Sequence, residues 1–90
     1  MKFLGRLRHP VQQKNPNLVS ETLSKIRTEV EELGFVLTSD VEEGATYFTA
    51  EPGIGIDQSN ILQKVVLAER RGNQIAKRLN VQFDFAITSN

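Results

Sequence analysis

Hydrophobic residues recur with a helical period in two stretches of this chain. In the first stretch they occur at Val19, Leu23, Ile26, Val30 and Leu33. In the second they occur at Ile61, Val65, Ala68, Gly72, Ile75 and Leu79. A spacing of three or four residues places side chains on one face of a helix. The pattern therefore predicts two amphipathic helices, one starting at Asn15–Asn17 and ending before Gly34, and one over roughly 58–79.

Three other stretches alternate between apolar and polar residues, as strands do. The first two, Phe35–Val41 and Ala45–Glu51, are separated by Glu42-Glu43-Gly44. A three-residue loop that ends in glycine is typical of a hairpin. The third stretch alternates most regularly, with apolar residues at Val81, Phe83, Phe85 and Ile87. Because successive side chains of a strand point to opposite faces, these four are predicted to face the core.

Residues 2–8 allow more than one interpretation. Phe3, Gly5 and Leu7 alternate with Leu4, Arg6 and Arg8, which fits a short edge strand. A single amphipathic turn or a loose basic arm fits equally well. Pro10 ends the segment, because proline disfavours helical geometry in the residue before it. We therefore divide the chain into a basic N-terminal arm or edge strand over 1–16 and a single α+β domain over 17–90.

The order of these elements predicts the fold class. Ninety residues are enough for one domain with a small core. Two amphipathic helices and alternating strands favour a two-layer α+β sandwich, with both helices on one face of a largely antiparallel sheet of three or four strands. The order is αββαβ without the N-terminal segment. If residues 2–8 form a strand, it becomes the ferredoxin-like βαββαβ arrangement.

Gly72 decides how the second helix is interpreted. Arg70-Arg71-Gly72-Asn73 has the form of a helix stop followed by a new N-cap. The apolar rhythm nevertheless continues through Gly72 without changing phase, which favours one long helix with Gly72 against the sheet. Two shorter helices are the alternative.

With two shorter helices, the order of elements resembles the K-homology fold of the second type. That family holds RNA backbone with a G-x-x-G loop between two helices. The corresponding residues here are Glu69-Arg70-Arg71-Gly72, with glutamate in place of the first glycine. The resemblance covers residues 17–88 in topology, and it implies RNA binding at this loop.

The composition excludes several classes of site. The absence of cysteine excludes a disulfide framework, a zinc ribbon and thiol catalysis, and it favours a cytoplasmic setting. His9 is the only histidine, so neither a histidine relay nor a histidine-rich metal site can form. No stretch is long and apolar enough to span a bilayer. We expect a soluble protein that is not an enzyme and that uses no metal and no cofactor.

Two further groups of residues have plain structural explanations. Asp40, Glu42 and Glu43 are grouped near the predicted hairpin tip, but their spacing matches no calcium loop. Gly53-Ile54-Gly55 precedes a helix, as a phosphate-binding loop would, but the negatively charged Asp57 follows it. We interpret the carboxylates as solvated turn residues and the glycines as a tight connection between strand and helix.

The net charge is zero, but the charges are separated along the chain. Residues 1–16 carry basic side chains and no acidic ones, and residues 34–57 carry acidic side chains and no basic ones. Residues 58–80 are again basic, with Glu69 as the single acid. Separation of this kind can orient a partner even when the net charge is zero.

The second predicted helix carries most of the candidate binding residues. Its basic side chains form two rows with heptad spacing, one of Lys64, Arg71 and Arg78 and one of Arg70 and Lys77. All five lie away from the apolar stripe. No acid precedes Arg71 or Arg78 by four residues, so we expect no ion pair within the helix for either residue.

Together with Arg6 and Arg8 of the N-terminal segment, these side chains predict a binding surface. We expect a small non-enzymatic regulatory module that docks on a protein partner through this basic helix face. RNA or DNA binding through the same residues is the alternative. An edge strand would also allow two copies to pair as a homodimer.

Overall fold

A computed structural model describes residues 1–8, 15–39 and 45–89 of the chain. In these residues two helices pack on one face of a four-stranded antiparallel sheet, so the predicted α+β sandwich is confirmed. The elements are β1 (Lys2–Leu7), α1 (Pro16–Glu32), β2 (Phe35–Leu37), β3 (Tyr47–Pro52), α2 (Ile61–Ala76), a 3₁₀ turn (Lys77–Leu79) and β4 (Phe83–Ser89).

The strand order is β2-β3-β1-β4, which gives the ferredoxin-like βαββαβ arrangement. Residues 2–7 therefore form a strand, but the predicted edge position is wrong, because β1 lies between β3 and β4. Gly5 explains how β1 fits there. It pairs with Phe48 on one side and Phe85 on the other, and a Cβ at Gly5 would lie only 2.7 Å from Cε1 of Phe48. The missing side chain makes room for that ring.

Helix α1 begins and ends as its sequence predicts. The Asn15 side chain accepts a hydrogen bond from the backbone N–H of Asn17 at 2.9 Å, and Pro16 occupies the first turn. Gly34 follows the last turn with a φ of 109°, a value that favours glycine. The buried side chains of α1 include Val19, Leu23, Ile26 and Val30 of the predicted stripe.

Helix α2 continues through Gly72 without a break, which confirms the single long helix. Gly72 is buried against Phe83, and a Cβ there would lie 2.6 Å from Cε2 of that ring. The K-homology alternative is therefore wrong, because residues 69–72 are helical and do not form a G-x-x-G loop. The 3₁₀ turn that follows α2 ends at Asn80, which is left-handed with a φ of 57°.

The boundaries of several elements differ from their predictions. Helix α2 begins at Ile61, later than expected, because residues 57–60 form a turn in which Asp57 accepts hydrogen bonds from Ser59. Strand β2 ends at Leu37, and β3 extends from Tyr47 to Pro52. The hairpin tip Glu42-Glu43-Gly44, the end of the predicted strand at Val41, the Asp40 carboxylate, and His9 and Pro10 lie outside the described residues.

The core between the helices and the sheet contains a cluster of phenylalanine rings. Ring centroids lie 5.0 Å apart for Phe35 and Phe85 and 5.3 Å apart for Phe3 and Phe85. Phe83 and Phe85 are buried, as is Val81 just before β4, but Ile87 is 49% exposed. The prediction that Ile87 belongs to the core is therefore wrong. Ile87 lies near the end of the outermost strand, where the ladder with β1 becomes irregular and the helix layer leaves it half open.

Candidate functional site

The seven predicted binding residues lie on two different surfaces. Phe3 and Leu7 of β1 are buried under the helices, so Arg6 points to the opposite face of the sheet, where Arg8 also lies beside Asp84. The other five belong to α2 and the turn after it, in the helix layer. The sequence suggested one basic surface, but the fold separates it into two.

On the open face of the sheet, Asp84 lies beside both arginines. Arg8 Nε is 3.0 Å from Asp84 Oδ2, and Arg6 Nη2 is 3.9 Å from the same oxygen. Arg6 and Asp84 are also directly opposite each other in the β1–β4 ladder. The carboxylate offsets part of the positive charge on this face.

The row formed by Lys64, Arg71 and Arg78 lies on the side of α2 that faces α1. Arg71 Nη1 is 3.6 Å from Glu29 Oε2, and Arg78 Nη1 is 3.7 Å from Glu21 Oε1. The two helices are therefore antiparallel, with basic residues of one beside acidic residues of the other. Sequence reasoning considered ion pairs within one helix only, so it missed these pairs between helices.

Arg70 and Lys77 form the outward row of α2 and its 3₁₀ extension. Both side chains are exposed, and neither has a carboxylate within ion-pair distance among the described residues. Gln63 and Gln74 are exposed on the same side, and these four positions fall within about 60° on a helical wheel. This outward face carries two positive charges and no acid.

An exposed apolar pair borders the outward face on the side of β4. Leu62 is 79% exposed and Val66 is 53% exposed, one helical turn apart. Sequence reasoning missed both residues, because it followed only the stripe that contains Ile61 and Val65. The signal was present in the sequence, since each of the two follows a stripe residue by one position.

Sequence reasoning also missed the role of Asn73. Its Nδ2 donates to the carbonyl oxygen of Phe83 at 2.8 Å, and its Oδ1 accepts from the N–H of Phe83 at 2.8 Å. The side chain thus pairs with the outer edge of β4 as a neighbouring strand would. Asparagine is a poor residue for a helix interior, and that was the only hint in the sequence.

One titratable group in the helix layer has a shifted pKa. The hydroxyl and the backbone N–H of Ser59 donate to Asp57 Oδ1, at 2.5 and 2.9 Å, and these bonds lower the pKa of Asp57. Asp57 is exposed and lies just before α2. Its role is to stabilise the turn that leads into the helix.

Metal-binding clusters and membrane-spanning helices are both absent from the described residues. Within the described ranges, no three His, Cys, Asp or Glu side chains group closely enough to hold a metal ion. No helix in the described part of the chain is long and apolar enough to cross a membrane.

No protein-family model matches the sequence, and no curated protein matches it.

Proposed function

We propose that this protein is a non-enzymatic interaction module that docks on an acidic surface of a protein partner through the outward face of α2. One observation supports this proposal most directly. Arg70 and Lys77 are exposed with no carboxylate within ion-pair distance among the described residues, whereas Arg6, Arg8, Arg71 and Arg78 each lie beside a carboxylate.

The difference between the paired and the unpaired cations has a physical consequence. A carboxylate beside a cation offsets the field that a partner would experience. Arg70 and Lys77 form no ion pair within the described structure, and they lie about 10 Å apart at 1.5 Å per residue. Charges of this kind act mainly by orienting a partner and raising its association rate, and they contribute less to affinity.

The same surface fits a protein better than a nucleic acid. Affinity for nucleic acid rises with the number of phosphates that basic side chains neutralise. The outward face offers two cations, the chain has no net charge, and the stretch compared with a G-x-x-G loop is helical. RNA or DNA binding remains the alternative, and the experiment below distinguishes it.

Photo-crosslinking tests the proposed surface directly. A photoreactive side chain at position 74, between Arg70 and Lys77, should crosslink a protein from source lysate. The same side chain at position 24 is the control, because Ser24 is exposed on the other helix. Crosslinking at position 74 that disappears after nuclease treatment would favour the nucleic-acid alternative.

Binding of the recovered partner by purified variants then tests the charges. Arg70→Gln with Lys77→Gln should lower the association rate, most strongly at low ionic strength, where screening is weakest. Lys2→Gln with Lys25→Gln removes the same amount of charge from exposed positions elsewhere and should have a smaller effect. Equal effects of the two double variants would contradict docking at the outward face.

A further inference from the structure

We propose that a second copy of this chain pairs with the outer edge of β4, so that two copies form a symmetric dimer with one continuous antiparallel sheet. This inference is independent of the partner proposed above. It depends on the backbone of β4 and on the apolar residues beside it, and it does not use Arg70 or Lys77.

The backbone of β4 leaves two residues unpaired at the edge. In an antiparallel strand, the N–H and C=O of alternate residues point to opposite sides. Gln82 accepts a hydrogen bond from Arg8 of the neighbouring chain segment, so the backbone groups of Phe83, Phe85 and Ile87 point outward. The side chain of Asn73 makes hydrogen bonds to both backbone groups of Phe83. Phe85 and Ile87 have no hydrogen-bond partner at this edge within the described structure.

The unpaired stretch of β4 is limited at both ends. Asn73 occupies one end, beside Phe83. At the other end the register skips Thr88, and Ser89 pairs with Lys2 inside the sheet. The open stretch is therefore Phe85-Ala86-Ile87. A second copy can run antiparallel to this stretch about a two-fold axis at Ala86. Each Phe85 then pairs with Ile87 of the other copy through two hydrogen bonds, which gives four hydrogen bonds in all.

The side chains at this axis are compatible with close approach. Ala86 would lie opposite Ala86 of the second copy, at a position where antiparallel Cα atoms come within about 4.5 Å. A small side chain suits this distance, and no charged residue lies within the open stretch. Asp84, the nearest charge on β4, is already paired with Arg6 and Arg8. The carboxylate of Glu69, which lines the shallow cavity beside Phe85, is the remaining charge near the axis in the described structure, and each copy would contribute one.

Exposed apolar residues of α2 lie at the same position along β4 as the proposed axis. Helix α2 runs antiparallel to β4, because Asn73 lies at Phe83 while Glu69 lines the same shallow cavity as Phe85. Val66 lies about 10 Å from Asn73 along the helix, and Ala86 lies about 10 Å from Phe83 along the strand. Val66 is therefore level with the proposed axis.

Pairing would cover the apolar residues that this edge leaves open. Val66 would lie near Val66 of the second copy, and Leu62 and Ile87 lie close by on the same flank. All three are about half exposed or more in the single chain. A patch that is largely apolar and centred on the open backbone complements itself, as a symmetric interface requires.

The opposite edge of the sheet does not offer the same surface. Strand β2 is only three residues long. Arg27 donates to the carbonyl oxygen of Ser39 just beyond it, at 3.1 Å. Very short edge strands are one way in which proteins avoid edge pairing. We therefore place the second copy at β4.

Sedimentation equilibrium over a range of protein concentrations, up to about 1 mM, tests the dimer. The parent should approach twice the monomer mass as concentration rises. Val66→Glu should remain a monomer, because it adds two carboxylates beside those of Glu69 near the axis. Val36→Glu is the control, since Val36 is 55% exposed on β2 and should leave the dimer intact. Arg70→Gln with Lys77→Gln should also leave it intact, which separates this test from that of the partner-binding face.

Amide exchange locates the interface independently of any variant. Exchange at Phe85 and Ile87 should slow as concentration rises, while the outward amides of Phe35 and Leu37 on β2 should not change. The proposal is overturned if the parent stays monomeric at every concentration. It is also overturned if a dimer forms while Phe85 and Ile87 still exchange as freely as at low concentration, or while Val66→Glu still dimerises.

Discussion

The most deeply buried residues of helix α2 and those on its outer side differ in size. Ala68, Gly72 and Ala76, which are small, are buried against the sheet, whereas the larger apolar residues of the stripe are only partly buried. The outer side contains large, exposed residues: Leu62, Val66 and Arg70, with Lys77 in the turn that follows. Large apolar residues usually fill a core, but here small residues let the helix backbone approach the phenylalanine rings of β4. The fold needs little from the large outer side chains, which leaves them available for contacts with other molecules.

We expect the largest loss of stability from a change in the cluster of phenylalanine rings under the helices. Phe85→Ala should lower the free energy of unfolding by about 3–5 kcal/mol, since it opens a cavity among packed rings. The matched change Ile87→Ala, two residues along the same strand, should cost much less because Ile87 is half exposed. Chemical denaturation of the two variants measures the difference. Equal losses would show that Ile87 belongs to the core.

Gly72 tests the close packing of α2 on the sheet, because helix propensity favours alanine at this position whereas packing favours glycine. Alanine is the better helix former by about 1 kcal/mol. Its Cβ would nevertheless collide with the buried ring of Phe83, so Gly72→Ala should destabilise the protein by about 1–3 kcal/mol. Gly55→Ala is the control, since a Cβ at Gly55 meets no atom within 4 Å. If Gly72→Ala raised the denaturation midpoint, the close approach of α2 to the sheet would be wrong.

Asn73 lies between the two sides of the helix and holds α2 to the edge of β4. Asn73→Ala removes both hydrogen bonds to Phe83 and should cost about 1–2 kcal/mol of unfolding free energy. Gln74→Ala changes the next, exposed residue and should stay within about 0.5 kcal/mol of the parent. Amide exchange at Phe83 should become faster in Asn73→Ala only. Unchanged exchange would mean that the side chain does not hold this edge.

A smaller effect concerns the turn before α2. The pKa of Asp57 is lowered in the folded state, so its charged form stabilises the fold above the pKa of the unfolded chain. That contribution is lost as the pH falls through the folded-state pKa, below the ordinary aspartate value of about 4. Thermal unfolding of Asp57→Asn should therefore depend less on pH than that of the parent across this acidic range. Identical pH profiles would contradict the role of the Ser59 hydrogen bonds.

Much of the fold followed from periodicity. The rhythm through Gly72 predicted one helix, and Asn15 and Gly34 marked the two ends of α1, because these signals are local. The inner position of β1 could not be predicted in the same way. It depends on Phe48 filling the space above Gly5, a contact between residues distant in the chain.

The candidate site was harder to predict than the fold. Heptad spacing identified five basic residues on α2 and the turn after it but could not show which of them face α1. The pairs of Arg71 with Glu29 and of Arg78 with Glu21 arise only when two helices pack side by side. The side chain of Asn73 likewise acts on a strand ten residues away. Sequence patterns report one element at a time, whereas these roles belong to pairs of elements.

One comparison tests the central claim that the outward face of α2 serves binding while the face toward α1 serves the fold. Arg70→Gln/Lys77→Gln and Arg71→Gln/Arg78→Gln each remove two positive charges from the same segment. Association of both double variants with the crosslinked partner is measured at low ionic strength, together with their denaturation midpoints. We predict slower association and unchanged stability for the first, and a loss of up to about 1 kcal/mol per ion pair with nearly normal association for the second. The opposite assignment, or equal loss of binding in both, would contradict the claim.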